Sequence, residues 1–132
     1  MRVGFNAFFL GQEGTGSGQY TRQLLRALMQ LDGCNKYLLF RLQKPGFPRR
    51  HSFWRNLDKL WFEQVAFPRA CHCASVDLAH VPYFASPLFP TVPTVVTVHD
   101  LIPLLLPAYR ASVLVRLYTC LVAIAARRAT LV

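Results

Sequence analysis

Acidic side chains are scarce here: six Asp and Glu stand against fifteen Lys and Arg, a formal net charge of +9. Twelve of the basic residues are arginine, dispersed along the 132 residues rather than run together. Dispersed arginine suits attraction to anionic ligands or an anionic lipid surface better than groove reading of DNA; an ordinary solvated surface is the alternative. No run is suited to a spanning helix, since the longest uncharged stretch, 78–99, carries Pro82, Pro87, Pro90 and Pro93. Met1-Arg2-Val3-Gly4 passes straight into a β-rich run without a signal peptide's apolar core and cleavage site, so a cytoplasmic location is expected. Four cysteines make no framework. Cys71-His72-Cys73 has no second pair at zinc-site spacing, and Cys34 and Cys120 stand alone, so reduced thiols and no metal are expected. A hydrophobic share of 53% against 16% charged excludes a disordered chain, and the length suits one domain with a core.

What is present is an alternation of β-rich and amphipathic segments. Residues 2–6 read as a strand, followed by the glycine-rich loop Gly11 to Gly18 (G-Q-E-G-T-G-S-G) and a helix over 19–31. On that helix Tyr20, Leu24, Leu25, Leu28 and Leu31 share one face, and Asp32-Gly33 supplies the stop. Residues 37–42 form a second strand, giving a βαβ opening and hence a parallel sheet. A basic, proline-bearing loop over 44–52 precedes a helix over 53–67, with Trp54, Leu57, Trp61 and Val65 on one stripe and Pro68 past its end. Further strands are expected at 77–81 and 94–98, with a Pro-rich loop over 82–93 between them. A helix, apolar nearly all round, runs from a Ser112 cap to about Arg128. Ala129-Thr130-Leu131-Val132 reads as the opening of another buried strand. The fold expected is α/β, a parallel sheet flanked by helices.

Thr94 to Asp100 (T-V-V-T-V-H-D) concentrates the chemistry. A β-branched strand buried on both faces ends there in a histidine and an aspartate, and open parallel sheets bind ligands outside the carboxyl ends of their strands. His99 either meets a ligand or caps the strand, and Asp100 starts a turn into Leu101-Ile102-Pro103. His80 also ends a strand; it either hydrogen-bonds a hydroxylated substrate or is satisfied by the backbone. Gly14-Thr15-Gly16-Ser17-Gly18 is neither a G-x-G-x-x-G fingerprint nor a Walker loop, yet its small residues let backbone N–H groups approach an anion at a helix N-terminus; a plain turn is the alternative. Phe47, Arg49, Arg50, His51, Phe53, Trp54 and Arg55 interleave rings with cations. That pattern suits anionic lipid headgroups and would also suit single-stranded nucleic acid, though no nucleic-acid module accompanies it; a solvated face over a helix start is the alternative.

In sequence, M-R-V-G-F-N-A-F-F-L, G-x-G-x-G-x-Y-T-R-x-L-L-R-A-L, W-F-E-Q-V-A-F-P, D-L-A-H-V-P-Y-F and P-T-V-V-T-V-H-D-L-I-P resemble family 4 (group 1) retaining glycosyltransferases of the GT-B fold. The resemblance is to their N-terminal, acceptor-side Rossmann-like domain and covers nearly all of 1–132. It implies transfer of a sugar, of the hexosyl or mannosyl type, from a nucleotide-sugar donor to a polysaccharide or lipid-linked sugar acceptor with retained configuration, and no further cofactor. It implies that Gly14, Gly16 and Gly18 approach the donor phosphates and that His99 is the catalytic residue, near the transferred sugar and the acceptor hydroxyl. Asp100 would shape the strand-end turn, while His80, Tyr83 and the loop 100–107 would line the acceptor side. A peripheral position at the inner face of the plasma membrane accompanies this reading.

The family's donor half, with its Glu-x7-Glu segment and basic pair, has no counterpart in these residues. The expectation is a truncated N-terminal domain, inactive alone because catalysis needs donor and acceptor held together. Two other readings stand beside it. One is an acceptor- or nucleotide-binding module working with a separate donor domain. The other is a different doubly wound protein such as a receiver domain, which the lack of any acidic residue over 2–7 disfavours.

Overall fold

The computed structural model describes residues 1–12, 14–42, 52–106 and 113–132, and the side chains among these other than 52–55 and 103. In chain order they form β1 (Arg2–Asn6), α1 (Gly16–Leu31), β2 (Lys36–Phe40), α2 (Ser52–Trp61), a π-helical turn (Phe62–Ala66), α3 (Phe67–Cys73), β3 (Leu78–Val81), β4 (Thr94–Val96), α4 (Ile102–Leu105) and α5 (Val113–Ala126). The sheet is wholly parallel, in the order β2-β1-β3-β4, with Phe5 opposite Leu39 and His80, and His80 opposite Val95. Beyond β4, Leu131 makes a parallel bridge to Val95, so the run over 129–132 does begin to pair. The connection from β1 to β2 runs one way across the sheet and that from β2 to β3 the other. With right-handed crossovers this sets α1 on one face and α2–α3 on the opposite one. The expected α/β architecture with a helix-flanked parallel sheet is present. Among the described residues no helix is long and apolar enough to cross a membrane.

Several local expectations are corrected. The glycine-rich segment is not all loop, because α1 begins at Gly16. Thr15 is its N-cap, extended at φ −116° and ψ 142°, and its hydroxyl accepts from Gly18 N at 3.1 Å. Glycine is not what stops α1. Asp32 caps it in an extended conformation, and the carboxylate accepts from Cys34 N, Asn35 N, Asn35 Nδ2 and the Tyr37 hydroxyl, tying the helix end to β2. On α1 the buried residues are Gly18, Thr21 and Leu25, while Tyr20 and Leu31 are exposed.

The second helix does not end before Pro68. Phe67 N donates to Phe62 O, the widened π turn, and Pro68 falls in the first turn of α3. The wider ladder removes the clash and the lost hydrogen bond that proline brings to a regular helix interior. The extra residue also shifts the helix's phase. Phe62, Glu63, Phe67 and Cys71 face the core, and the expected apolar stripe of Leu57, Trp61 and Val65 lies exposed; Trp54 falls outside the described side chains.

The core lies between α3 with its π turn and the sheet, joining Phe62, Phe67, Cys71 and Val76 to Ala79, Val81, Tyr83 and Val96. Gly4 sits beneath it: a Cβ there would come within 3.0 Å of Cys71 Sγ. The first half of the Pro-rich loop after β3, 82–87, is largely buried, and Gln64 holds it, its amide donating to Ser86 O at 3.1 Å and accepting from Leu88 N at 2.8 Å. Cys71 points into this core with its thiol pushed up to about 12 by burial, while His72 and Cys73 face solvent, so the C-H-C run does not converge.

Candidate functional site

The chain order reverses between β1 and β3, and the crevice beyond their carboxyl ends is where open parallel sheets place ligands. Three strand ends meet there. β1 ends in Asn6, which is wholly buried; β3 runs into Pro82 and Tyr83; and β4 continues to His99 and Asp100.

His99 reaches from β4 to the end of β3 and to α1. Its Nε2 lies 3.1 Å from Pro82 O, and its ring meets Tyr20 of α1 edge-on, with centroids 4.7 Å apart. A carbonyl only accepts, so Nε2 carries the hydrogen. In the neutral ring Nδ1 is therefore the acceptor nitrogen, and the residue remains exposed. Asp100 Oδ1 accepts from Ile102 N at 3.0 Å and starts α4, a short helix the sequence pattern did not indicate. Asp100 thus shapes the strand-end turn.

The remaining expected site residues separate into two groups. A Cβ on Gly14 or Gly16 would meet nothing within 4 Å, whereas one on Gly18 would fall 2.2 Å from Gln12 O. Gly14 and Gly16 border open space; Gly18 is needed for the loop to fold onto its helix. His80 is half-buried and packs on Phe5 at 4.9 Å between centroids, Nε2 has no hydrogen-bond partner, and burial draws its pKa down. Tyr83 is buried too, its hydroxyl donating to Asn6 Oδ1 at 3.0 Å, while Asn6 Nδ2 is left without a partner. The basic–aromatic cluster over 47–55 lies outside the described side chains.

A second polar constellation, on the α2 side, adjoins Phe9 and Tyr83. Glu63, fully buried, accepts from the Tyr118 hydroxyl at 2.9 Å. Lys59 Nζ stands 3.3 Å from Glu63 Oε1 as an ion pair and donates to the Tyr118 oxygen at 2.8 Å. The same ammonium lies over the rings of Tyr118, Phe9 and Tyr83, at 4.6, 5.5 and 5.8 Å from their centroids. Burial raises the Glu63 pKa, and Lys59 and Tyr118 offset part of that rise; burial and the neighbouring carboxylate push both tyrosines up. Sequence reasoning passed over this group. Its one local signal is the i,i+4 spacing of Lys59 and Glu63, because Tyr118 joins them from 55 residues away.

Comparison of the chain with protein-family models, with curated proteins and with solved structures gives no match.

Proposed function

We propose that this chain is the acceptor-side, Rossmann-like domain of a retaining glycosyltransferase of the GT-B type, moving a sugar from a nucleotide-sugar donor to a polysaccharide or lipid-linked sugar. The reading starts from the ordered motif resemblance, and one observation carries it further. The imidazole of His99 is fixed through Nε2 and Tyr20 at the carboxyl edge of the sheet, which leaves Nδ1 to accept a hydrogen bond. A hydroxyl of the acceptor or of the transferred sugar is a donor of the right kind for that nitrogen. In the same reading the open backbone at Gly14 and Gly16 admits the donor diphosphate, and Asp100 sets the turn that presents His99. His80 and Tyr83 support the acceptor side from beneath. The donor-binding domain completes the cleft, and the inner face of the plasma membrane is the proposed place of action.

The test is sugar transfer by the chain joined to a donor-binding domain of that family. His99→Ala should lower turnover by about 10²–10⁴ and leave nucleotide affinity nearly intact, as loss of a positioned proton-transfer group does. Near-normal turnover would reduce His99 to a strand-end anchor and remove the main support for the reading. Gly16→Val adds a side chain into open space, so it should weaken nucleotide binding without unfolding the chain.

A further inference from the structure

A groove of about 290 Å³ opens between α2 and α5. Its walls are aliphatic, from Leu57 and Leu60 on one side and Leu114 and Val115 on the other. Its polar liners are Lys59, Tyr118 and Asn56. Leu57 and Leu114 are exposed, at 41% and 62%, whereas the Lys59 side chain is 24% exposed. The groove is therefore open at Leu57, Leu114 and the exposed Asn56, and Lys59 and Tyr118 stand further in. Apolar walls with a few convergent polar groups are the usual build of a small-molecule site, and this one stands at the small end of the roughly 300–1,000 Å³ such sites span.

We infer that this groove binds an uncharged, hydroxyl-bearing amphiphile: an aliphatic chain that ends in an alcohol and enters alcohol first. The chain is selected by the four aliphatic walls, whose burial against it removes apolar surface from water. The head is selected by charge. The Lys59 ammonium is already matched by Glu63 at 3.3 Å, so the inner end carries no net charge. A carboxylate or phosphate placed there would stand beside a fully buried Glu63 with no spare cation to balance it. A hydroxyl needs no such balance. Of the three ammonium hydrogens, one goes to Tyr118 and one faces Glu63, which leaves the third for the alcohol oxygen. The alcohol's own hydrogen can go to the second lone pair of the Tyr118 oxygen, which accepts once from Lys59. The groove lies on the α2 side of the sheet, whereas His99 packs on α1, so its reading does not depend on the transfer chemistry, although Lys59 at its inner end also lies over the ring of Tyr83.

The experiment is calorimetric titration of the intact chain at neutral pH with 1-octanol and, separately, sodium octanoate. The octanol should bind about tenfold or more tighter than the octanoate, a difference of roughly 1.4 kcal/mol. Leu114→Trp, at an exposed position that the fold does not use, should fill the groove and weaken octanol by a similar factor, with an unchanged far-UV spectrum. Glu63→Gln keeps the shape but leaves Lys59 unmatched, so octanoate should then overtake octanol. The proposal is overturned if octanol fails to bind up to its solubility limit, or if octanoate binds the native chain as well as octanol does. It is equally overturned if Leu114→Trp leaves octanol affinity unchanged, or if Glu63→Gln leaves the preference where it was.

Discussion

Lys59 and Glu63 illustrate how a partner decides what a buried charge is worth. Removing the lysine alone strands a carboxylate with no solvent exposure, so Lys59→Met should destabilise toward the lower end of about 3–5 kcal/mol, the lysine being partly solvated. Removing both, as in Lys59→Met with Glu63→Gln, should recover much of that loss; a urea-denaturation cycle over the four proteins measures the coupling. The pH dependence follows from the raised Glu63 pKa. An acid whose folded pKa lies above its unfolded one contributes its stability at low pH and loses it as pH rises through the folded value. The stability of Glu63→Gln relative to the native chain should therefore rise from acid toward neutral pH, whatever its sign at the acid end. Gly4→Ala meets Cys71 Sγ at 3.0 Å and the Phe40 and Val76 side chains at 3.2 Å, an overpacking expected to lower stability by about 1–3 kcal/mol in the same assay. His99 and Asp100 were legible in the sequence because a β-branched run ends at them. The Lys59–Glu63–Tyr118 group was not, since it exists only once α5 has docked.

Among the elements, the helix from Ser52 to Cys73 departs furthest from its sequence pattern, and the π turn is the cause. Periodicity at 3.6 residues assigns Leu57, Trp61 and Val65 to the core, yet all three are exposed, and the wider turn at Phe62–Ala66 carries the buried stripe from Phe62 and Glu63 on to Phe67 and Cys71. Pro68 invited the same error, since proline ends helices only where the ladder is regular. The Gln64 amide, inside that turn, supplies both hydrogen bonds a strand would otherwise give to the loop at Ser86 and Leu88. Gln64→Ala should thus reduce stability by about 1–3 kcal/mol and speed hydrogen exchange at Leu88 most. The end of α1 offers a contrast between two neighbours. Asp32 gathers four donors and its carboxyl is held well below the usual carboxylate range, chiefly by the Tyr37 hydroxyl and then by Asn35. A lowered acid contributes above its unfolded pKa and loses that contribution as pH falls through the folded one. Asp32→Ala should lower Tm at neutral pH, whereas Gly33→Ala, with open space at its Cβ and no positive φ, should not.

For the molecule as a whole, the parallel sheet was the most legible feature, because β-branched runs between amphipathic segments leave few other topologies. What those segments present to solvent was less so. On α5, Val113, Leu117 and Ile124 are exposed at 69%, 63% and 54%, and on α4 Leu105 is exposed at 70%. Apolar surface on this scale favours association, so light scattering of the isolated chain should show a mass that rises with concentration. Leu117→Lys with Ile124→Lys should suppress that rise without shifting Tm; a strictly monomeric native chain would refute the expectation. The strand order carries a further consequence, one of timing. β1 lies inside the sheet, and its second neighbour β3 is joined to it through contacts such as Arg2 N to Asp77, 75 residues apart. At a synthesis rate of roughly 5–20 residues per second, β1 leaves the ribosome about 4–15 seconds before that neighbour exists. Through that interval the edge of β1 that β3 will cover stays unpaired, an open template for any other strand.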